Sequence, residues 1–187
     1  MATSSRLFLV GLVALVAAGC GAASHSGPGA FGWLRPSTPP AGWTIARLPS
    51  GKAALAYPPG WRAIRTDPGT VSAALLTPGG AIRGYLNATP QSGAETLANW
   101  ARFRPAHNRE EGDLAVAPVA AAHRLRFAHG SGSCVIDRYR TVSSRYKEIA
   151  CIVRGANATT VVVGAAEPQA WPALAPQLER AIASFST

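Results

Sequence analysis

This 187-residue sequence contains three cysteines, and their positions indicate which reactions each thiol can undergo. Cys20 follows an apolar run near the N-terminus, whereas Cys134 and Cys151 enclose the segment CVIDRYRTVSSRYKEIAC. Two thiols can join as a disulfide in an oxidising compartment, and a single one can carry another modification. The cysteines therefore raise two linked questions, the export of the chain and the pairing of two strands.

The first twenty residues, MATSSRLFLVGLVALVAAGC, carry one arginine and an apolar run from Leu7 to Ala18. The run is too short for a transmembrane helix and is typical of a secretory signal peptide. Small residues before the cysteine make the stretch resemble a bacterial lipoprotein signal. That resemblance predicts a signal peptide at residues 1–19, an acylated Cys20 bearing diacylglycerol and palmitate-type chains, and a membrane anchor at the outer face of the cell membrane. The alternative is an ordinary signal peptide cut at a nearby small residue.

The two later cysteines predict a disulfide-linked hairpin. If Cys20 carries a lipid, Cys134 and Cys151 form an even set that can pair after export. An antiparallel register that sets them opposite each other places residues 141–144 in the turn. The register also pairs Ile136 with Ile149, Arg138 with Lys147, and Arg140 with Arg145. Alternation along the strands puts the cysteines, both isoleucines and the four cations on one face.

These four cations, Arg138, Arg140, Arg145 and Lys147, lie at the turn end of the predicted hairpin. Arg124 and Arg126 share a face of the preceding strand and would extend the basic patch. One interpretation is a surface that binds anionic lipid or another envelope protein. The other is that these long side chains are solvated where the tip overhangs the core. The formal net charge of +9 favours anionic partners, but nucleic acid is an unsuitable partner for an exported protein.

No local motif of an enzyme occurs in the sequence, which lacks G-x-S-x-G, Walker A and H-E-x-x-H patterns. His107, Glu110 and Glu111 could offer two metal ligands on one helical face, but two neighbouring arginines disfavour a metal there. We therefore expect a non-catalytic binding or assembly module without metal or cofactor. Two alternatives stay open: an enzyme, such as a hydrolase, without a local motif, and a lipid carrier with an apolar cavity between helix and sheet.

The elements that must position these residues begin after a Gly-, Ser- and Pro-rich segment. Residues 20–42 predict a flexible tether, and residues 43–187 predict a single domain. KAALAYPPGWRAI predicts a short strand, a type II turn at Pro59 and Gly60, and a returning strand led by Trp61. Two further segments, residues 70–77 and 81–89, predict a hairpin.

The second half of the chain predicts two helices around a group of strands. Ser92 and Glu95 have the spacing of a capping box, and Pro105 is expected to end or kink the helix that follows. Strand-like segments then cover residues 114–129, 133–142, 145–154 and 158–165. The tail predicts a regular helix at about 173–185. Its apolar face comprises Trp171, Leu174, Leu178, Ile182 and Phe185.

This order predicts an α+β fold, a mostly antiparallel sheet flanked by helices with the C-terminal helix packed on it. The turn AYPPGWRAI, the helix after the second hairpin and the ending LERAIASF resemble the PsbP/Mog1-like sandwich of small actinobacterial envelope lipoproteins. The resemblance covers roughly residues 43–187 and rests on turn and core residues. It implies a binding or assembly factor of the envelope and transfers no catalytic residues to this chain. We expect the chain to be a monomer.

Overall fold

The computed structural model describes residues 28–187, which form nine strands and two α-helices. Residues 1–27, including the predicted signal peptide and Cys20, lie outside the described part. The strands are β1 (Thr44–Arg47), β2 (Ala54–Tyr57), β3 (Arg62–Ile64), β4 (Val71–Leu76), β5 (Ile82–Pro90), β6 (Leu114–Phe127), β7 (Gly130–Arg140), β8 (Arg145–Gly155) and β9 (Thr159–Ala166). The helices are α1 (Trp100–Glu110) and α2 (Trp171–Ala183).

Seven strands form one antiparallel sheet in the order β3-β4-β5-β9-β8-β7-β6. The predicted register of the β7–β8 hairpin is confirmed, since Cys134 lies opposite Cys151, Arg138 opposite Lys147 and Arg140 opposite Arg145. A disulfide joins the two cysteines, whose Cα atoms are 4.1 Å apart. The predicted 70–77 and 81–89 hairpin is also confirmed, as β4 and β5.

Helix α2 and the β1–β2 hairpin cover one face of this sheet. Leu178 and Ile182 of α2 are fully buried against it, as the apolar spacing of the tail predicts. Phe185 is buried as well, although the helix ends at Ala183, before the predicted end at about 185. The contact is close: a Cβ atom at Gly84 would lie 3.0 Å from Leu174, and one at Gly164 would lie 3.2 Å from Leu178. Burial of a leucine or isoleucine side chain contributes about 1.5–3 kcal/mol, so this face supplies much of the core. The predicted α+β architecture with a packed C-terminal helix is therefore confirmed.

Helix α1 lies on the opposite face and covers only part of it. It packs on β6, β7 and β8, where Trp100 is buried and its indole N–H donates to the Ala150 carbonyl at 2.9 Å. The same face of β3, β4 and β5 lies beside the helix rather than beneath it. An open groove results along the flank of α1.

The N-terminal boundary of the domain differs from the prediction. Residues 28–42, assigned from composition to the tether, pack on the domain: Phe31 is only 3% exposed, and Trp33 and Leu34 contact the same core. The Ser37 N–H also donates to the Ala183 carbonyl at 3.1 Å. The sequence did not reveal these three apolar residues, because they lie in a Gly- and Pro-rich segment and follow neither a helical nor a strand period. A chain beginning at residue 21 contains every core residue of the described part.

The first helix begins later than the sequence suggests. Regular α-helix starts at Trp100 and continues through Pro105 to Glu110. Glu95 does accept the Ser92 N–H at 2.8 Å, as in half of the predicted capping box. The reciprocal bonds are instead made one turn later, between Thr96 and Asn99. A proline interrupts only one backbone hydrogen bond directly, and the packing of α1 on the sheet offsets that loss.

The strands around the predicted type II turn also differ in their partners. Gly60 has the expected positive φ of 87°, and the Trp61 N–H donates to the Pro58 carbonyl at 3.3 Å. However, β2 and β3 do not pair with each other, because β2 pairs with β1 and β3 with β4. The turn therefore carries the chain from one sheet to the other. Neither helix described within residues 28–187 has the length and hydropathy that a membrane span requires.

Candidate functional site

A groove beside α1 is built largely by strands and a helix of the fold. It has a volume of about 480 Å³, within the range of small-ligand sites. Its floor is the uncovered sheet face, and its walls are α1 and the loop after β3. The lining residues are Ile64, Thr66, Asp67, Thr70, Ser72, Ile82, Tyr85, Asn87, Thr89, Ser92, Arg104, His107, Glu111, Val161 and Val163. A larger depression, of about 640 Å³, lies among loops and turns around Arg47, Lys52 and His129.

Neutral polar groups dominate the floor of the groove. The Asn87 amide donates to the Ser72 hydroxyl at 2.6 Å, which leaves the amide oxygen and the hydroxyl hydrogen for other partners. The Thr66 and Thr70 hydroxyls lie 2.6 Å apart at the wall. Val161 and Val163 of β9 supply apolar surface beside them. The groove therefore offers hydrogen bonds and apolar contact together.

Helical spacing explains which side chains of α1 meet the sheet and which meet the groove. Trp100, Arg104 and Asn108 are four residues apart and share the face that packs on β7 and β8. His107 and Glu111 lie on the groove side, where the imidazole Nε2 is 3.2 Å from the Glu111 carboxylate. Thus, Arg104 and His107, the basic side chains that α1 contributes to the groove, each lie beside a carboxylate of the protein.

A buried polar cluster lies beneath α1, next to the groove. Arg104 forms a bidentate ion pair with Glu148 of β8, with N···O distances of 2.7 and 2.9 Å. The Tyr139 hydroxyl donates to the same carboxylate at 3.2 Å and lies 2.6 Å from the Tyr85 hydroxyl. The Glu148 side chain is completely buried. Such a pair needs full hydrogen bonding to offset its desolvation, and both tyrosines contribute to that.

A second carboxyl group completes the buried polar cluster, which we define as Tyr85, Arg104, Asn108, Asp137, Tyr139 and Glu148. Asp137 lies directly opposite Glu148 on β7 and is fully buried. The Asn108 amide donates to it at 3.3 Å, whereas one oxygen of each side chain has no partner among the described residues. Burial, reinforced by the negative charge of Glu148, raises the pKa of Asp137 to about 8. Asp137 is therefore protonated at neutral pH.

The remaining pKa shifts in the cluster follow from the same burial. Burial raises the pKa of Tyr85 and of Tyr139, and the nearby Glu148 carboxylate raises both further. Burial opposes the charge of Arg104, but Glu148 outweighs that effect and raises the pKa of its guanidinium. The cluster thus holds one permanent ion pair, neutral phenols and one neutral carboxyl group.

This geometry suits binding and positioning better than proton transfer to a substrate. Asp137 and Glu148 are both fully buried, so a ligand in the groove does not touch either carboxyl group. Tyr85 and Arg104 connect the cluster to the groove, since both line it. The cluster therefore stiffens one wall and part of the floor of the groove.

Three of the four predicted cations of the hairpin tip face solvent together. Arg138, Arg140 and Arg145 are exposed, and none forms an ion pair with a carboxylate within residues 28–187. Lys147 differs, because its ammonium lies 4.5 Å from the centre of the Trp171 ring on α2. Burial and the neighbouring Arg138 lower the pKa of Lys147. It is therefore anchored to α2, whereas the three arginines are not.

Arg124 and Arg126 do not extend this patch. Arg126 lies opposite Ser131, which is seven residues before Arg138 on β7, or about 23 Å along the strand. Arg124 has a positive φ of 57° within a register shift between Ala122 and Leu125. The expectation assumed a regular strand, and the bulges in β6 together with its register invalidate it.

The polar motif HNREE lies in α1 and just beyond it. Both Glu110 and Glu111 approach the exposed imidazole of His107, with N···O distances of 3.9 and 3.2 Å. Within the described part of the chain, no cluster of three or more His, Cys, Asp or Glu side chains is arranged to hold a metal ion.

The sequence contains one indication of the buried polar cluster, in the residues that the predicted hairpin register places opposite each other. The predicted register of the hairpin sets Asp137 opposite Glu148 on the face that carries Tyr139, as the structure does. Two facing carboxylates on an aromatic face require a cation from elsewhere in the fold. Arg104, four residues after Trp100 on the same helical face, is that cation.

Comparisons with known proteins find no matching family model and no matching curated protein. Among solved structures, the chain is similar to cyanobacterial PsbP (CyanoP) from Synechocystis sp. PCC 6803. That match has 15% identity, covers 79% of this chain and 94% of that one, and has a TM-score of 0.57. A second similarity is to LpqN, involved in cell envelope biogenesis of Mycobacterium tuberculosis, with 12% identity, 77% and 89% coverage and a TM-score of 0.44. The first shows a PsbP-like fold; the second is too distant to support an inference.

Proposed function

We propose that this protein is a non-catalytic lipoprotein of an actinobacterial cell envelope, which binds a neutral, hydroxyl-rich wall component in the groove beside α1. The signal-like residues 1–19 direct export, acylated Cys20 anchors the chain to the membrane, and the PsbP-like domain presents the groove. The anchor and the origin rest on the sequence. The groove and its lining support the binding function.

The observation that carries the binding proposal is the floor of the groove, where neutral polar side chains lie beside apolar ones. Ser72, Asn87 and Thr89 offer hydrogen bonds in both directions beside the apolar surface of Val161 and Val163. A carbohydrate presents the matching pattern, with hydroxyl groups at its edges and C–H groups on its faces. Each additional hydrogen bond contributes about 0.5–1.5 kcal/mol, so several are required for specific binding.

Other ligand classes fit the groove less well. An anionic ligand lacks an available cation, because Arg104 is held by Glu148 and His107 lies beside Glu111. A peptide strand cannot add to the floor, because backbone groups in the interior of a sheet are already paired with neighbouring strands. A lipid carrier requires an apolar cavity between α2 and the sheet, and Leu178, Ile182 and Phe185 fill that space.

A glycan array tests the groove. We expect the chain from residue 21 to bind neutral oligosaccharides in preference to oligosaccharides that contain uronic acid. Asn87→Leu keeps the side-chain volume but removes the amide, so the affinity should fall about 10-fold, as for a lost hydrogen bond with an unpaired partner. Asn157→Leu, in an exposed turn outside the groove, is the matched control. Equal binding by both variants, or no binding to any neutral glycan, would refute the proposal.

The anchor is tested separately in the native host. The full chain should incorporate radiolabelled palmitate and fractionate with membranes, because two or more acyl chains give stable membrane attachment. Cys20→Ala should remove the label. Unchanged labelling of the variant would show that Cys20 is not the acylated residue.

A further inference from the structure

We propose that the tip of the β7–β8 hairpin docks on an anionic phospholipid bilayer. The basic tip is defined here as Leu114, Arg138, Arg140, Val142 and Arg145. Arg140 and Arg145 face each other at the last pair of the hairpin, and Leu114 of β6 lies opposite Arg140. These side chains therefore meet at one end of the sheet.

The basic tip combines charge with exposed apolar surface. Val142, in the turn, is 96% exposed, and Leu114 is 46% exposed. They are two of the three large hydrophobic side chains that are exposed among residues 28–187. At a membrane interface the same residues enter the acyl boundary while flanking cations bind phosphate groups.

The charges of the basic tip complement an anionic surface. Its three guanidinium groups form no ion pair with carboxylates of the described residues, and Glu167 is the acid that shares the shallow depression beside the turn. Like charges at Arg140 and Arg145 repel each other across the hairpin, which costs some stability. The Cys134–Cys151 disulfide holds the register in which they meet. Anionic head groups would relieve that repulsion.

Chain length places the domain close to a membrane. The described domain begins at Pro28, so only residues 21–27 separate it from Cys20. Fully extended, this connection reaches at most about 28 Å. This step uses the anchor of the proposed function, whereas the chemistry of the tip does not depend on the groove or its ligand.

Vesicle sedimentation tests the docking. The chain from residue 21, without lipid, should bind vesicles of phosphatidylglycerol and phosphatidylcholine in equal parts, and the binding should weaken as salt is added. Pure phosphatidylcholine should bind much less. Replacing one arginine by glutamine should weaken binding about 5-fold, and replacing all three about 100-fold. Arg62→Gln, Arg65→Gln and Arg154→Gln, made together, remove the same charge from exposed sites outside the tip and should leave most of the binding intact.

A fluorophore gives a second, independent readout. An environment-sensitive dye attached at Val142→Cys should shift to the blue on anionic vesicles, whereas the same dye at Asn157→Cys should not. Equal binding of the two triple variants, or absence of wild-type binding to anionic vesicles, would overturn the proposal. So would an unshifted dye at position 142. Because the groove is assayed with glycans and Asn87→Leu, failure here leaves that test unaffected.

Discussion

Substitution of Asp137 by asparagine should change how the stability of the domain depends on pH. Asp137 is fully buried opposite Glu148, and its pKa of about 8 lies far above the ordinary value of 3.8. Asparagine has nearly the same shape but does not titrate. It also supplies an N–H group where one Asp137 oxygen and the Asn108 amide oxygen lack partners. The variant therefore retains the neutral form of the side chain at every pH.

The direction of the effect follows from proton binding. Between about pH 4 and about pH 8 the folded state holds a proton on Asp137 that the unfolded chain has released. This contribution to stability is thus complete below about pH 4 and is lost as the pH rises towards 8. Each pH unit within the window costs about 1.4 kcal/mol. Between about pH 5 and about pH 7 the wild type should lose about 3 kcal/mol more than Asp137→Asn does.

Urea unfolding at several pH values measures this difference. Trp100 of α1 is buried against the sheet, so the tryptophan fluorescence of the chain reports the transition. The comparison is made with the disulfide intact, and exposed Asp67→Asn serves as the control for removal of an acidic side chain. Since a typical domain has 5–15 kcal/mol of stability, the difference is well within measurable range. Parallel pH profiles for the wild type and Asp137→Asn would refute the assignment of the proton to Asp137.

Three further variants test the packing that surrounds the site, each by urea unfolding. Arg104→Met leaves the Glu148 carboxylate buried without its partner and should destabilise the domain by about 3–5 kcal/mol; a loss below 1 kcal/mol would mean that water reaches the carboxylate. Replacing both Cys134 and Cys151 by alanine opens a loop of 17 residues and should cost about 3 kcal/mol, with no effect of reductant on the variant. Phe31→Ala should lower the free energy of unfolding by about 3–5 kcal/mol if residues 28–42 belong to the domain. An unchanged free energy of unfolding would mean that these residues are part of the tether.

The β7–β8 hairpin shows how far pattern reasoning extends. Two cysteines, a central polar turn and alternating side chains define a single self-consistent register, and the structure has that register. The last helix was equally predictable, because Leu174, Leu178 and Ile182 recur with the period of an α-helix. Both features depend on residues that are close in sequence.

Predictions that required knowledge of distant partners were less successful. Strand β2 reads as one arm of a hairpin with β3, but its four residues are buried and pair with β1. Arg124 and Arg126 follow a regular alternation in sequence, but bulges in β6 redirect them. Bulges have no reliable signature in one sequence, because their position depends on the neighbouring strand.

The sequence by itself determined the order of elements from β2 onward, the register of the β7–β8 hairpin and the apolar face of α2, because local periodicity and one covalent constraint specify them. Only the tertiary structure decided that α1 lies across β6, β7 and β8, that Arg104 meets Glu148, and that the neighbouring half of the sheet stays open. The ion pair joins residues 44 positions apart, and nothing local encodes where a helix rests on a sheet. The position of α1 follows from the requirement that two buried acids obtain a cation and that the apolar side chains around Trp100 leave water.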